Sequence, residues 1–446
     1  MTDSVKKATY NIPFIQKPVV IYERACGHKI VFAYKEGEAV NISTWAKTGS
    51  INETAEINGV SHFLEHLMFK GTTHRKAGEF DRILEAKGAI VNAATWKDYT
   101  FYYVTLPRGE NNKNFKLATE LHADMMLNPI IPDCEIGAEF DADNPPEGEP
   151  KRERHVVIEE IRMREDQPWT KVYNLANAMM YENHPYKRDV IGTPKLIAGM
   201  PRNTVMDYYK KFYTPENLTT IVAGDVDVEK TFEILDKLFD FKGRENNVHT
   251  PTKPEFCVKE FKCAEKTADV TTGFLTAGCV CPPATEYREN IILEIINIIL
   301  GEGQSSRLYQ NLVEKSEKPI FNIVSTDYYS FKDGGNFFIQ ANFDPVYKDE
   351  AIRLIEKEVE KILTERVSDE EFKKAVKKLK VRFAQSAETV SEMAETIGFY
   401  MTVCNSLEGM SEYEKILETV TVDDVLQTAQ KYLTKDKTVL AVLMPR

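Results

Sequence analysis

Short runs in which apolar and polar residues alternate dominate the start of the chain. Residues 17–49 contain three such runs separated by turn residues, which predicts three β-strands. Residues 90–107 repeat the pattern and predict a hairpin. Helical periodicity is found in five further stretches, at 58–70, 77–89, 112–127, 151–169 and 203–213. Because the strands follow one another as hairpins rather than as strand–helix–strand units, the pattern favours an α+β fold.

The second half of the chain repeats the pattern of the first. A helix that leads into an apolar strand occurs at 201–226 and again at 421–445. Upstream, a strand followed by an apolar helix also occurs in both halves. We therefore predict two homologous α+β domains, each a mostly antiparallel sheet with helices packed on one face. Their predicted bounds are 1–245 and 261–446, joined by a polar linker at 246–260.

Length, charge and apolar runs limit the class of protein. A chain of 446 residues is long for one domain, in agreement with the repeat. The net charge of −12 argues against nucleic acid as a partner. The longest apolar run, residues 291–300, is half the length of a membrane span and contains Glu294, so we expect no membrane association.

The cysteines and the first 16 residues of the sequence bear on the cellular compartment of the protein. Seven cysteines are an odd number, and they lack the paired spacing of metal ligands. The first 16 residues contain no apolar segment of the kind found in secretory signals. We expect free thiols and a cytoplasmic location.

The sequence His62-Phe-Leu-Glu65-His66 lies in the helical stretch 58–70. Residues four apart lie on one face of a helix, so both imidazoles can reach a single ion. Glu65 lies beside them, where a carboxylate can act as a general base toward water. In a chain of this composition such a motif has a probability of about 2% of arising by chance. Since burying three polar groups among apolar residues is costly without a metal or partner, we predict a metal site.

The segment His62–Thr72, HFLEHLMFKGT, closely resembles the zinc motif of the M16 peptidases, the family of pitrilysin, insulysin and the mitochondrial processing peptidase. The resemblance implies a zinc metalloendopeptidase in which His62 and His66 bind Zn²⁺ and Glu65 activates water. A catalytic zinc ion usually has three protein ligands, so a third must come from elsewhere in the chain.

The third ligand is expected in the helical stretch 151–169, which resembles the E-R-x-V-V-x-x-E-I helix of the family. The resemblance places Glu160 at the third zinc ligand and Glu153 at a carboxylate that orients a histidine. Glu159 is the alternative ligand. The seven-residue spacing of Glu153 and Glu160 puts them on one helix face, whereas Glu159 lies about 100° away, which favours Glu160.

The hairpin at 90–107 resembles the strand pair that carries the N-A-x-T motif in the family. In M16 enzymes this strand is a sheet edge to which a peptide substrate adds as a further strand. The resemblance implies substrate binding by Asn92, Ala93, Ala94 and Thr95. From the residues alone an ordinary hairpin turn is the simpler interpretation.

The second half lacks the residues of the site. Aligning the two apolar helices places Ile291 and Ile295 at the positions of the two histidines, and all eight histidines occur at or before residue 249. Many catalytically complete M16 chains also carry an Arg and a Tyr that contact the substrate, and here Val313 and Ile320 occupy those positions. The resemblance therefore implies a hetero-oligomer whose second M16-like subunit supplies the Arg/Tyr pair.

The expected function is cleavage of peptides or unfolded segments inside a closed chamber. A homodimeric M16 oligopeptidase is the alternative assembly. A non-catalytic M16-like scaffold subunit and a hydrolase of small molecules are the alternative functions. The acidic, Pro- and Gly-rich segment 133–150 is expected to be an inserted loop.

Overall fold

The computed structural model describes residues 5–144, 152–244, 246 and 258–446. The strands in these residues are β1 (Lys6–Tyr10), β2 (Val19–Glu23), β3 (Lys29–Ala33), β4 (Ala39–Ala46), β5 (Ile90–Thr95), β6 (Thr100–Pro107), β7 (Leu218–Gly224), β8 (Lys262–Ala268), β9 (Gly273–Cys281), β10 (Phe321–Ser330), β11 (Gly335–Phe343) and β12 (Thr438–Pro445). Much of the predicted linker at 246–260 and part of the predicted loop at 133–150 lie outside the described residues.

The α-helices alternate with these strands in both halves. In the first half they are α1 (Val60–Met68), α2 (Glu79–Glu85), α3 (Lys113–Leu127), α4 (Asp133–Ile136), α5 (Glu153–Glu165), α6 (Pro168–Met180), α7 (Pro194–Ala198), α8 (Arg202–Phe212) and α9 (Val228–Leu238). In the second half they are α10 (Tyr287–Leu300), α11 (Arg307–Tyr309), α12 (Lys348–Thr364), α13 (Asp369–Gln385), α14 (Val390–Phe399), α15 (Glu408–Ser411), α16 (Tyr413–Thr419) and α17 (Val422–Tyr432). None of these helices is long and apolar enough to cross a membrane.

The described residues form two sheets whose shared strands follow the same order. The first sheet has the order β1-β2-β3-β7-β4-β6-β5, and the second has the order β10-β11-β9-β12-β8. If β1 and β2 are removed, the first sheet matches the second strand for strand. In each sheet one pair is parallel, β3 with β7 and β8 with β12, and the other neighbours are antiparallel. The predicted fold class and the predicted duplication are therefore confirmed.

The chain divides into two compact units, each assembled from three segments. The first comprises Met1–Arg162, Asp189–Pro251 and Ala384–Ser411. The second comprises Met163–Arg188, Thr252–Phe383 and Glu412–Arg446. These units do not correspond to a single cut along the chain, because α6 belongs to the second unit and α14 to the first. The domain bounds at the 246–260 linker stay a prediction.

The prediction placed helices on one face of each sheet, whereas α14 adds a helix to the second face of the first sheet. In the first unit His122 of α3 hydrogen-bonds Thr44 of β4, whereas Gly398 of α14 packs on the ring of Trp45. Successive residues of a strand point to opposite faces, so both faces of this sheet carry a helix. In the second unit Trp169 of α6 packs edge-on against Phe274 of β9 in the same way.

Candidate metal centre

Helix α1 begins at a position that is stabilised by a buried carboxylate. Gly59 precedes the helix with φ 96°, a conformation that favours glycine. The carboxylate of Glu53 accepts hydrogen bonds from the backbone N–H groups of Gly59 at 2.8 Å and Ser61 at 2.9 Å. An anion at a helix N-terminus satisfies N–H groups that have no partner within the helix. This contact fixes the first turn of α1, from which His62 and His66 project.

Helix α5 is held in place by a buried arginine. Arg154 is fully buried and donates hydrogen bonds to the backbone carbonyls of Ile136, Ile197, Ala198 and Met200. A buried guanidinium is stable only when its donors are satisfied, and these carbonyls satisfy them. The contact anchors the N-terminal half of α5, the helix that carries Glu153 and Glu160.

The structure brings His62, His66 and Glu160 together. One ligand atom from each lies within 4.8 Å of the others. Oε2 of Glu160 is 3.7 Å from Nε2 of His62 and 3.5 Å from Nε2 of His66. The side chains are 12%, 20% and 32% exposed, so the cluster is partly shielded yet still open to a ligand. Two imidazole nitrogens and one carboxylate oxygen are a donor set that suits catalytic zinc and leaves one coordination position open.

A carboxylate and an ammonium group orient His66. Its Nδ1 lies 2.9 Å from Oε1 of Glu153, and Oε2 of Glu153 lies 2.5 Å from Nζ of Lys70. Burial acts to lower the pKa of His66, but hydrogen bonds to Glu153 and Glu160 outweigh it and raise the pKa to about 9. The surroundings of this ring therefore favour positive charge. Glu153 fixes the ring so that Nε2 faces the cluster, as carboxylates do for histidine ligands of metals.

Glu65 lies beside the cluster without being one of its three members. Its side chain is nearly buried, and the hydroxyl of Thr95 donates a hydrogen bond of 2.5 Å to its Oε2. Burial raises the pKa of Glu65, with a smaller contribution in the same direction from Glu160. The Thr95 contact joins α1 to the edge strand β5, so the carboxylate is held at a defined place.

Asn92, Ala93, Ala94 and Thr95 lie on β5, the edge strand of the first sheet. They pair with Tyr103, Tyr102, Phe101 and Thr100 of β6 on one side only. Asn92 is exposed, and its Oδ1 accepts a hydrogen bond from the N–H of Ala93 at 2.9 Å. The outer edge of β5 carries no further strand among the described residues, so another extended segment could pair there.

The other described histidines are engaged elsewhere. The buried ring of His122 bonds Thr44, and burial lowers its pKa to about 3. The remaining four have the following contacts: His28 bonds Thr220, His74 bonds Asp124, His155 stacks on Phe140, and His184 pairs with Asp333. His249 lies outside the described residues.

The corresponding helix of the second unit, α10, contains no imidazole. Ile291 and Ile295, which occupy the histidine positions, are buried. Glu294, aligned with Glu65, is half-buried, and desolvation raises its pKa to about 7. Val313 lies in a short π-helical turn at Gln310–Glu314, and Ile320 is buried.

We expect Glu160→Gln to reduce zinc affinity far more than Glu159→Gln. Glu160 contributes an oxygen to the cluster, whereas the Glu159 side chain is 65% exposed and pairs with Arg162 at 2.9 Å. The two substitutions remove the same charge from neighbouring positions, so each controls for the other. The measurement is a competition titration of zinc against a chelating dye. Equal losses, or a larger loss for Glu159→Gln, would show that Glu160 is not a ligand.

Comparison with known proteins places this geometry in a family. The family model described as "Insulinase (Peptidase family M16)" matches residues 29–194, and that described as "Peptidase M16 inactive domain" matches residues 200–379. The chain belongs to the M16 peptidase family. The predicted family is confirmed, and the model named for an inactive domain covers much of the half that has no histidine cluster.

Curated M16 relatives match nearly the whole chain. The chain is 29% identical over 417 residues to "Uncharacterized zinc protease YmxG" of Bacillus subtilis, covering 91% of this chain and 93% of the relative. It is 28% identical over 416 residues to "Zinc protease PqqE" of Helicobacter pylori, covering 91% and 88%. The solved structure of a protease from Helicobacter pylori superposes with a TM-score of 0.83 at 25% identity, covering 99% of this chain and all of that one. The relatives named as zinc proteases indicate a peptidase that uses zinc.

The sequence did not indicate three residues that the structure adds to the site. Lys70 pairs with Glu153, and Glu53 and Arg154 hold the two helices that carry the cluster. Lys70 lies within the motif segment, where its spacing from His66 was a usable signal. Arg154 acts through backbone carbonyls that lie 18 to 46 residues away, for which the sequence gives no signal. Glu53 acts through N–H groups six and eight residues further on, outside any capping pattern that the sequence analysis used.

Proposed function

We propose that this M16 chain is a zinc-dependent endopeptidase that cleaves peptides or unfolded segments. His62, His66 and Glu160 would hold the zinc ion, and Glu65 would be the general base. The observation that carries the proposal is the convergence of these three donors within 4.8 Å beside a separate carboxylate. A scaffold role is disfavoured, because it would not require this cluster or the Glu153 contact that orients His66.

Different residues of the chain would carry out different parts of the reaction. When bound, zinc would polarise the scissile carbonyl and make water easier to deprotonate. Glu65 would take the proton from that water and return it to the leaving amine. Thr95 would hold the Glu65 carboxylate through its 2.5 Å hydrogen bond. Glu153, itself paired with Lys70, would keep the Nε2 atom of His66 directed at the ion.

The edge strand β5 supports a peptide as the substrate class. An extended peptide could add to it through backbone hydrogen bonds, a mode that accepts many side-chain sequences. Asn92, Ala93 and Ala94 lie on this strand, and Thr95 at its end contacts Glu65. A peptide bound there would run next to the general base. A hydrolase of small molecules would have no use for this edge.

The assembly is part of the proposal. We propose that the chain is the zinc-bearing subunit of a hetero-oligomer and that a second M16-like subunit supplies the Arg/Tyr pair. Val313 and Ile320 occupy those positions here, and neither side chain can donate a hydrogen bond. A homodimer is the alternative, and cleavage inside a closed chamber stays a prediction.

Removal of the metal tests the proposed function. Unstructured peptides with a fluorophore and a quencher are incubated with the purified chain and its M16-like partner. Cleavage should stop after treatment with a zinc chelator and return on addition of zinc in slight excess. Magnesium at the same concentration is the control and should not restore cleavage, because it prefers oxygen ligands. Cleavage that persists after complete removal of zinc would contradict the proposal.

A further inference from the structure

A cavity of about 460 Å³ lies in the second unit between α12 and the sheet. We refer to it as the α12 cavity. Ala277 and Cys279 of β9 line it together with the larger apolar side chains Phe337, Ile355 and Leu440. The volume falls in the range of about 300–1,000 Å³ that is usual for sites of small ligands, and so does the mostly apolar lining. Neither the zinc cluster nor the edge strand is part of it.

The described parts of the two repeats differ beside this cavity. In the first unit α3 follows β6, just as α12 follows β11 in the second, and α9 packs beside α3. Phe232 of α9 stacks on Tyr22 of β2 at 4.2 Å, and Leu235 is fully buried. In the described part of the second unit no strand lies outside β8 and no helix takes the place of α9. Among the described residues, the sheet face beside α12 borders the α12 cavity, whereas α9 packs beside the corresponding helix of the first unit.

Two cations on α12 line the cavity. Arg353 and Lys357 are one helical turn apart, and neither makes a hydrogen bond or ion pair to a described residue. Lys435 also lines it, but Lys435 pairs with Glu356 at 2.6 Å. Glu360 is the remaining carboxylate of the lining. Positive charge thus exceeds negative charge around an apolar space, in a chain with a net charge of −12.

We propose that the α12 cavity binds an amphipathic carboxylic acid of the fatty-acid type. Its apolar chain would lie over Ala277 and Cys279, whose small side chains leave room on the sheet. Its carboxylate would pair with Arg353 and Lys357, because guanidinium and ammonium groups recognise carboxylates through charge-assisted hydrogen bonds. A single negative charge suits the lining better than a dianionic phosphate, because its three cations exceed its two carboxylates by one charge.

The test is calorimetric titration of the purified full chain with dodecanoate below its micelle concentration. We expect saturable binding at one site per chain, and at least about tenfold weaker binding of the methyl ester, which lacks the charge. Arg353→Gln combined with Lys357→Gln should weaken dodecanoate binding by about tenfold or more without changing the affinity for the ester. Ala277→Leu should weaken both ligands by filling the space.

Lys373→Gln combined with Lys377→Gln is the matched control. These lysines are also four residues apart, on α13, and they do not line the cavity. This control should bind dodecanoate like the unaltered chain. Absence of saturable binding would overturn the proposal, and so would equal weakening by the two double variants. If Ala277→Leu fails to fold, as judged by circular dichroism, the two double variants still decide the question.

Discussion

Replacing Glu65 by glutamine is expected to lower kcat for peptide cleavage by about 10²–10⁴-fold while the zinc content stays unchanged. Glutamine keeps the size of the side chain and can still accept the hydrogen bond from Thr95, but it cannot take a proton. Zinc should remain, because the donor cluster consists of His62, His66 and Glu160 and does not include Glu65. The effect should therefore fall on the chemical step.

The measurement pairs steady-state kinetics on an unstructured peptide with zinc analysis of the same preparation. Glu85→Gln is the matched control, since Glu85 is an exposed carboxylate at the end of α2. This control should keep both activity and zinc. A Glu65→Gln enzyme with activity within a few-fold of the unaltered enzyme would show that another group accepts the proton.

The chain assayed alone is expected to cleave peptides about 10²–10³-fold more slowly than the same chain with its partner, if the partner's pair provides only one stabilising donor. Preorganised donors that stabilise developing negative charge often make a large contribution to catalysis, and Val313 and Ile320 offer none. The Ile320 side chain is buried and has no polar atom, so a change of its rotamer cannot supply a hydrogen-bond donor. On the proposed assembly, the missing donors come from the second M16-like subunit.

The experiment adds an M16-like chain that carries the Arg/Tyr pair but no zinc motif. Activity should rise with partner concentration and saturate at a fixed stoichiometry. A partner in which the Arg and the Tyr are replaced by alanine and phenylalanine is the control, and it should bind without restoring the rate. Full activity of the lone chain, unchanged on addition of the partner, would contradict the hetero-oligomer and favour the homodimer.

Elements with strong local patterns could be predicted from sequence. The helix around His62 and the hairpin at 90–107 lie where periodicity places them, as α1 and as β5 with β6. The repeat was visible because β7 and β12 are both apolar strands that follow a helix. The family resemblance and the seven-residue spacing of Glu153 and Glu160 together indicated which glutamate of α5 lies with the histidines.

Long-range contacts could not be predicted. Helix α6 belongs to the second unit and α14 to the first, because each packs on a sheet whose strands are distant from it in sequence. The contact of Gly398 in α14 with Trp45 in β4 is an example. The ring of His28 is fully buried and hydrogen-bonds Thr220, which lies 192 residues further along the chain. In each case the partner lies far along the chain, so local patterns do not indicate it.

Zinc analysis of the purified chain and of its His62→Ala/His66→Ala variant tests the central claim most directly. The histidines provide two of the three donors in the cluster, and a single carboxylate cannot hold zinc tightly. Inductively coupled plasma mass spectrometry should find about one zinc per unaltered chain and none in the double variant. Circular dichroism should show that both proteins are folded. Stoichiometric zinc in a folded double variant would contradict the assignment of this cluster as the metal centre.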